Sequence, residues 1–437
     1  MNRLWLAAAL LAPPMGAYAG DFVTVDGVKL MRAGRPYHFV GTNAWYGANL
    51  ALTEQGRARL VQELDLMKKL HITNLRVLGA SEGPGQHNSA RPQFKPDKDS
   101  TNEELLRGLD YLLDEMGERN MTAVIYLNNY WVWSGGMSQY MSWFTGKPVP
   151  NPFLEEHTWP EFMAFSAQFY AHTEANALYR DYIRMLVERK NSVNGRTYRD
   201  DPTIMAWQLS NEPRPGAGPE AAGNMPDYLR WIDETSAFIK SLDSNHLVSV
   251  GHEGLMGCVE SEECYLGSQA PKAVDYMTVH AWIYNWSWLD IKNMEGTYPS
   301  ARERAVEYLQ KHSAYARQLG KPLVLEEFGV PRDGGAFSHE SATSVRDRYF
   351  ECVLDELYAD AASGGPFAGS NFWAWGGLGR AKDPEEAVWR DGDDYVGDPP
   401  QEPQGLNSVF SSDESTLALI AAHGQAMSGI AHRESEE

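Results

Sequence analysis

Eight short strand-like runs, each followed by an amphipathic helical stretch or a long connection, lie along this chain, and that alternation restricts the fold more than anything else in it. The strand-like runs fall at 38–42, 74–79, 122–127, 204–209, 247–251, 273–280, 322–328 and 369–375. Apolar residues recur at helical spacing in 57–70, 103–119, 175–190, 226–242, 300–319 and 341–361, with a last helix at 415–427. No convincing helix separates the fifth run from the sixth. Continuous apolar runs flanked by helices suit strands buried on both faces of a parallel sheet. Eight such units predict a single (β/α)8 TIM barrel, with long βα loops after strands 3 and 8. A length of 437 residues fits one barrel of this kind. No repeat and no Ser/Pro-rich linker breaks the chain, so residues 20–437 read as one domain.

Barrels of this class build their sites at the C-terminal ends of the strands. Two of the runs end there in acids: Trp207-Gln208-Leu209-Ser210-Asn211-Glu212-Pro213 and Leu323-Val324-Leu325-Glu326-Glu327-Phe328-Gly329. An ionisable group is costly inside a sheet, so acids at strand ends point to a site. Two carboxylates able to meet in space are the minimal apparatus for cleaving a glycosidic bond. One must be protonated, and burial of Glu212 would raise its pKa. The other must stay ionised. Arg76 lies within an apolar strand, where an unpaired guanidinium is very costly, so it requires a carboxylate partner. Glu326 and Glu327 both qualify. Strand alternation places them on opposite faces, and both faces are apolar in a parallel barrel, so periodicity does not choose. His280 and Trp373 fall at or near the ends of other strands.

The connection 128–159 carries Trp131, Trp133, Trp143 and Trp159 and reads as an aromatic wall, with Trp131 a candidate substrate contact. The acidic, Pro-rich connection 376–410 reads as a rim or lid that narrows one end of a cleft. A total of 14 Trp suits flat platforms under sugar rings. A net charge of -21 excludes nucleic-acid partners, which need a basic stripe. There is no phosphate-cradling Gly motif and no Cys/His spacing for a metal, so neither cofactor nor metal is expected. The apolar run from Leu4 to Ala12, ending in Ala17-Tyr18-Ala19, predicts a signal peptide over 1–19 and export to the periplasm or the medium. No later stretch is apolar enough for a membrane anchor, and a monomer is expected. In an exported protein Cys258 and Cys264 would form a local disulfide, and Cys352 would be a buried free thiol.

Together these motifs resemble glycoside hydrolase family 5, and within it the β-mannanase branch of bacterial type. Asn211-Glu212-Pro213 is similar to the family's acid/base motif, and Glu327-Phe328-Gly329 to its nucleophile motif. Gly41-Thr42-Asn43 and Phe372-Trp373-Ala374-Trp375-Gly376-Gly377 also match, and the likeness spans nearly the whole mature chain. The resemblance implies that Glu327 is the nucleophile and Glu212 the acid/base. It implies that Asn211 binds the 2-hydroxyl, Arg76 orients Glu327, and Trp373 and His280 line the same subsite. It further implies retaining hydrolysis of β-1,4-mannosidic linkages in mannan, glucomannan or galactomannan, expected to be endo-acting. Exo action on manno-oligosaccharides is the alternative; a β-1,4-glucanase and a non-catalytic carbohydrate-binding barrel are more remote. One departure stands out. Where much of the family has His-x-Tyr, this chain has His280-Ala281-Trp282, and an indole N–H donates but cannot accept or ionise as a phenol does.

Overall fold

Eight parallel strands form a nearly closed barrel in a computed structural model that describes residues 22–85, 89–382 and 388–433. The strands are β1 (Phe39–Asn43), β2 (Ile72–Leu78), β3 (Thr122–Tyr126), β4 (Ile204–Gln208), β5 (Leu247–Ser249), β6 (Met277–Ala281), β7 (Leu323–Phe328) and β8 (Phe367–Phe372). β8 pairs with β1, and the ladder runs unbroken from β5 through β1 and β8 to β6. Each expected run overlaps one of these strands, so the barrel reading holds. The predicted signal peptide lies outside the described residues. Among those residues no helix is long and apolar enough to cross a membrane.

The outer helices are α1 (Glu54–Lys69), α2 (Glu103–Glu118), α3 (Thr173–Val187), α4 (Ala221–Leu242), α5 (Glu262–Gln269), α6 (Met294–Leu319), α7 (Ser344–Ala362) and α8 (Glu414–Arg433). Local sequence explains them. In α2, Asn102 accepts the Leu105 N–H as N-cap, two glutamates occupy the first turn, and Leu105, Leu109, Leu112 and Met116 form the buried stripe. α5 is the helix the sequence concealed. It has only 8 residues, and its N-cap Ser261 accepts from the Cys264 N–H. The Cys258–Cys264 disulfide anchors its start. Cys352 is a free thiol, half-buried rather than fully buried, because it sits at the edge of the core face of α7.

The β5–β6 seam has no strand ladder, because β5 is only 3 residues long. Other groups bridge it. The Val248 N–H donates to Asp275 Oδ2 (2.7 Å), the His252 N–H to Thr278 Oγ1 (2.6 Å), and the His280 N–H to the Glu253 carbonyl (3.1 Å). These bonds carry His252 and Glu253 to the C-terminal rim.

The barrel interior is divided. At the N-terminal end Val23 and Leu30 of a small hairpin cover a cluster that includes Phe39, Val124, Met205 and Val324. Toward the C-terminal end the interior turns polar, with Asn43, Arg76, Gln208 and Glu326 all buried. Gly41 in β1 permits this: a Cβ there would lie 2.5 Å from the Asn74 carbonyl and closer still to Asn371. The connection after β3 is not a plain loop, since it folds into helices Gly136–Thr145 and Trp159–Ala167. Trp143 therefore packs on Tyr140, away from the barrel mouth. The connection after β8 returns through a short strand, Val409–Phe410, paired with Trp375–Gly377.

Candidate active site

Glu212 and Glu327 face each other across the barrel mouth, each with a carboxylate oxygen within 4.8 Å of the other's and of a His280 ring nitrogen. Glu212 follows β4 in a left-handed conformation (φ 46°), fixed by its N–H donating to the Gly251 carbonyl (2.9 Å). A non-glycine residue held this way is strained, and such strain gathers at functional sites. Its Oε2 accepts from the Trp131 indole (2.5 Å), and its Oε1 meets His280 Nδ1 (2.6 Å). Glu327 accepts from Arg76 Nη1 (2.5 Å) on Oε1 and from the Trp282 indole (3.2 Å) on Oε2.

Arg76 organises the floor. Nε donates to Gln208 (2.8 Å), Nη2 to Asn211 Oδ1 (2.7 Å), and Nη1 also to Asn43 Oδ1 (3.0 Å). Its guanidinium lies 4.7 Å from the Tyr126 ring centroid. Glu326 is nearby (3.6 Å) but points down the barrel, where it accepts from Gln208 Nε2 (2.6 Å) and the Tyr276 hydroxyl (3.2 Å). Alternation would send Glu326 and Glu327 to opposite faces. A register shift between Leu325 and Glu327 in the β7–β6 pairing lets both reach Arg76, and only Glu327 reaches the cavity.

Burial raises the pKa of both facing carboxyls. For Glu327 the charge of Glu212 adds to the rise and Arg76 opposes it; for Glu212, Arg214 and the Trp131 indole oppose it. Two carboxyls this close hold one proton between them over a broad pH range. A guanidinium and an indole N–H both donate to Glu327, so the ionised form belongs there and the proton on Glu212. Burial pushes His280 well below its ordinary value, so the imidazole beside Glu212 is neutral.

The cavity above the pair encloses about 620 Å³. Trp131, Trp133, Asn211, Trp282 and Trp373 line it beside the acids. Trp373 packs edge-on to Trp282 and Trp133, and the Trp373–Ala374 peptide is cis. Sequence reasoning missed Arg214 and Glu253. Arg214 Nε and Nη2 bind Glu253 as a fork (2.5 and 2.6 Å), and the guanidinium lies 4.9 Å from the Trp131 ring centroid. A signal existed: Arg214 directly follows Asn-Glu-Pro, and Glu253 is a third acid just past a strand. It also missed Glu402, which lines the cavity from the connection after β8. Among the described residues Glu212, His280 and Glu327 are the only tight set with metal-ligand donors, and the Arg76 cation already occupies Glu327 Oε1.

Comparison with known proteins agrees with this geometry. A family described as "GH family 5 beta-mannosidase-like" matches residues 20–432. The chain is 36% identical to a glycoside hydrolase family 5 mannosidase from Rhizomucor miehei, covering 95% of this chain and 99% of that one at a TM-score of 0.87. It is 28% identical to mannan endo-1,4-beta-mannosidase 1 of Arabidopsis thaliana, over 80% of this chain and 81% of the relative. It is 27% identical to putative mannan endo-1,4-beta-mannosidase 9 of Oryza sativa subsp. japonica, over 86% and 85% respectively. With two facing carboxylates at the mouth of a (β/α)8 barrel, and with a family match over nearly its whole length, the chain belongs to glycoside hydrolase family 5, in its β-mannosidase-like group.

Proposed function

We propose that the chain hydrolyses β-1,4-mannosidic linkages with retention of anomeric configuration. The observation that carries this reading is the short, asymmetric carboxylate pair. With one oxygen of each carboxylate within 4.8 Å of the other, the pair sits at the short spacing that suits direct attack rather than the wide spacing that inversion uses. Glu327, held ionised by Arg76 and Trp282, attacks the anomeric carbon while Glu212 protonates the departing oxygen. Water then enters, Glu212 takes its proton, and the sugar leaves Glu327. Asn211, whose Oδ1 accepts from Arg76 Nη2 (2.7 Å) and whose Nδ2 donates to Asn129 Oδ1 (3.1 Å), is held in place to meet the 2-hydroxyl. Trp373 supplies the face under the reacting ring. Export through the leader at 1–19, a single catalytic domain over 20–437 and a monomeric state complete the proposal.

The plant relatives named as mannan endo-1,4-beta-mannosidases support endo action on mannan, glucomannan or galactomannan. Exo action on manno-oligosaccharides has its own support. The Trp45 indole donates to the Gly397 carbonyl (2.7 Å), seating the β8 connection over the β1 side of the mouth, and the cavity is lined by Glu327 of β7 and by the connections after β3, β4, β5, β6 and β8. Galactomannan viscosity followed alongside reducing ends separates the two. A fast viscosity drop marks endo cleavage; mannose or mannobiose release at nearly constant viscosity marks exo cleavage. Activity on cellulose or xylan with none on any mannan would overturn the substrate assignment.

Trp282 gives a pH prediction. Its N–H donates to Glu327 and also helps to lower the Glu212 pKa, so it favours the ionised form of both. In Trp282→Phe both carboxyls bind protons more tightly, and both limbs of the kcat/KM profile should move up by about one pH unit. A profile unchanged in position would show that this indole does not tune the acid pair.

A further inference from the structure

We propose that a hollow on the outside of the barrel, between α3 and α4, binds one small neutral sugar away from the catalytic cavity. Among the described residues the two share no lining side chain. The hydrolase reading above enters only in the choice of mannose as the probe.

The hollow forms where two helices and a short turn close on one another. The turn Gln168–Ala171 leads into α3, which packs beside α4. Asn176 and Arg180 stand four residues apart on α3 and share a face, as do Arg230 and Glu234 on α4. Together with Trp231 and Tyr170 they border a space of about 310 Å³, the size of a site for one small molecule.

Three of these side chains carry an enclosed polar atom with no hydrogen-bond partner: Asn176 Oδ1, Arg180 Nε and Trp231 Nε1. Each side chain is otherwise fixed. Asn176 Nδ2 donates to the carbonyls of Phe169, His172 and Tyr170 (2.7, 3.0 and 3.4 Å), which settles the amide orientation and leaves Oδ1 unused. Arg180 Nη2 donates to Glu234 Oε2 (2.8 Å). Trp231 is 2% exposed, with its ring against Tyr170 (5.1 Å between centroids) and Phe169 (6.1 Å). Buried polar atoms are rarely left unmet, and an indole N–H can only donate. Two unmet donors and one unmet acceptor around a single hollow call for an occupant that accepts twice and donates once.

Charge selects its class. Glu234 neutralises Arg180, and Asp227 neutralises Arg230, so the hollow favours neither an anion nor a cation. A carboxylate or phosphate could accept from Trp231 and Arg180, but Asn176 Oδ1 and the Glu234 carboxylate would oppose it. A hydroxyl both donates and accepts, so adjacent hydroxyls on one sugar ring meet all three atoms. Trp231 and Tyr170 are both buried and offer no open ring face, so recognition runs through hydroxyls and affinity is modest.

The test occupies the catalytic cavity first. A 2-deoxy-2-fluoro-β-mannosyl fluoride traps the nucleophile, mass spectrometry confirms the adduct, and calorimetry then follows mannose binding to the trapped enzyme. Binding is expected with Kd of about 1–10 mM. Trp231→Phe and Arg180→Met should each weaken it about 5- to 10-fold. Arg180 is partly exposed, so its variant keeps the test open even if Trp231→Phe folds poorly. Crystals of the trapped enzyme soaked in mannose should show the sugar within hydrogen-bond reach of Asn176, Arg180 and Trp231. Equal affinity in all three proteins, ordered water alone in the hollow, or binding at crystal concentration only would overturn the proposal. Tighter binding of acetate than of mannose at the same place would overturn it too. Failure to form the adduct would instead count against the hydrolase reading. The soak, repeated with glucose, would then still decide the hollow.

Discussion

Glu327→Ala is expected to lower turnover of an unactivated mannoside on the order of 10⁴-fold or more, with the fold intact. The loss is large because no other group is placed to form the glycosyl–enzyme bond. Glu326, one residue away, is bound to Gln208 and Tyr276 inside the barrel and cannot turn out without breaking both bonds. The variant should fold because Glu326 remains near Arg76 (3.6 Å), so the buried cation keeps a counter-charge. Azide should rescue the variant on a dinitrophenyl β-mannoside. It enters the space vacated by the carboxylate and attacks from the α face, giving the α-mannosyl azide. Glu212→Ala should behave differently on the same substrate. An activated leaving group needs no proton, Glu327 still forms the intermediate, and azide intercepts it to give the β-mannosyl azide. Chromatography and NMR of the two products check the assignment. Substantial turnover by Glu327→Ala, or the same anomer from both variants, would overturn it. Glu326→Gln should keep much of the activity.

The barrel was legible because its signals are local. Strand runs, helix caps and stripes of buried leucine each report on a few neighbouring residues, and their order gives the topology. Misreadings arose where tertiary contacts replaced local ones. β5 is short and is held at its β6 edge by Asp275 and Thr278 rather than by a ladder, and α5 starts at a disulfide. Neither has a strong periodic signature. The acids were legible for a different reason. A carboxylate ending an apolar strand is expensive and so stands out, and Glu212 and Glu327 were found that way. Residue chemistry alone could not choose Glu327 over Glu326 because both faces of a parallel-barrel strand are apolar, so alternation carried no information; the register shift then brings both acids to Arg76. Glu253 had the same signal as Glu212, an acid just past a strand, but the weak reading of β5 hid it. Glu402 could not be read at all, since an acid in an acidic, Pro-rich connection looks like any solvated loop residue until its enclosure is known.

Arg76→Met should damage both stability and activity, and the damage should depend on pH. The guanidinium is fully buried and serves Glu327, Gln208, Asn211 and Asn43 at once, with Glu326 and the Tyr126 ring beside it. Removing one partner from a buried ion pair typically costs about 3–5 kcal/mol, because the other charge stays behind. Here two carboxyls are left, Glu326 and Glu327, both already raised by burial and held down by Arg76. Without the cation both rise further. The folded protein then retains protons that the unfolded chain releases, so its stability falls as pH increases above the ordinary carboxylate range. The melting temperature of Arg76→Met should therefore drop more at pH 8 than at pH 5. Activity follows the opposite requirement. Glu327 must be ionised to attack, so the acid limb of kcat/KM should move to higher pH while the maximum falls. Arg76→Lys keeps a charge but offers no planar fork to join Glu327 to Asn211, so it should recover most of the stability and little of the activity. That split is the decisive reading. If Lys restored both equally, Arg76 would matter only as a counter-charge, and the orientation of Glu327 and Asn211 would have to come from elsewhere.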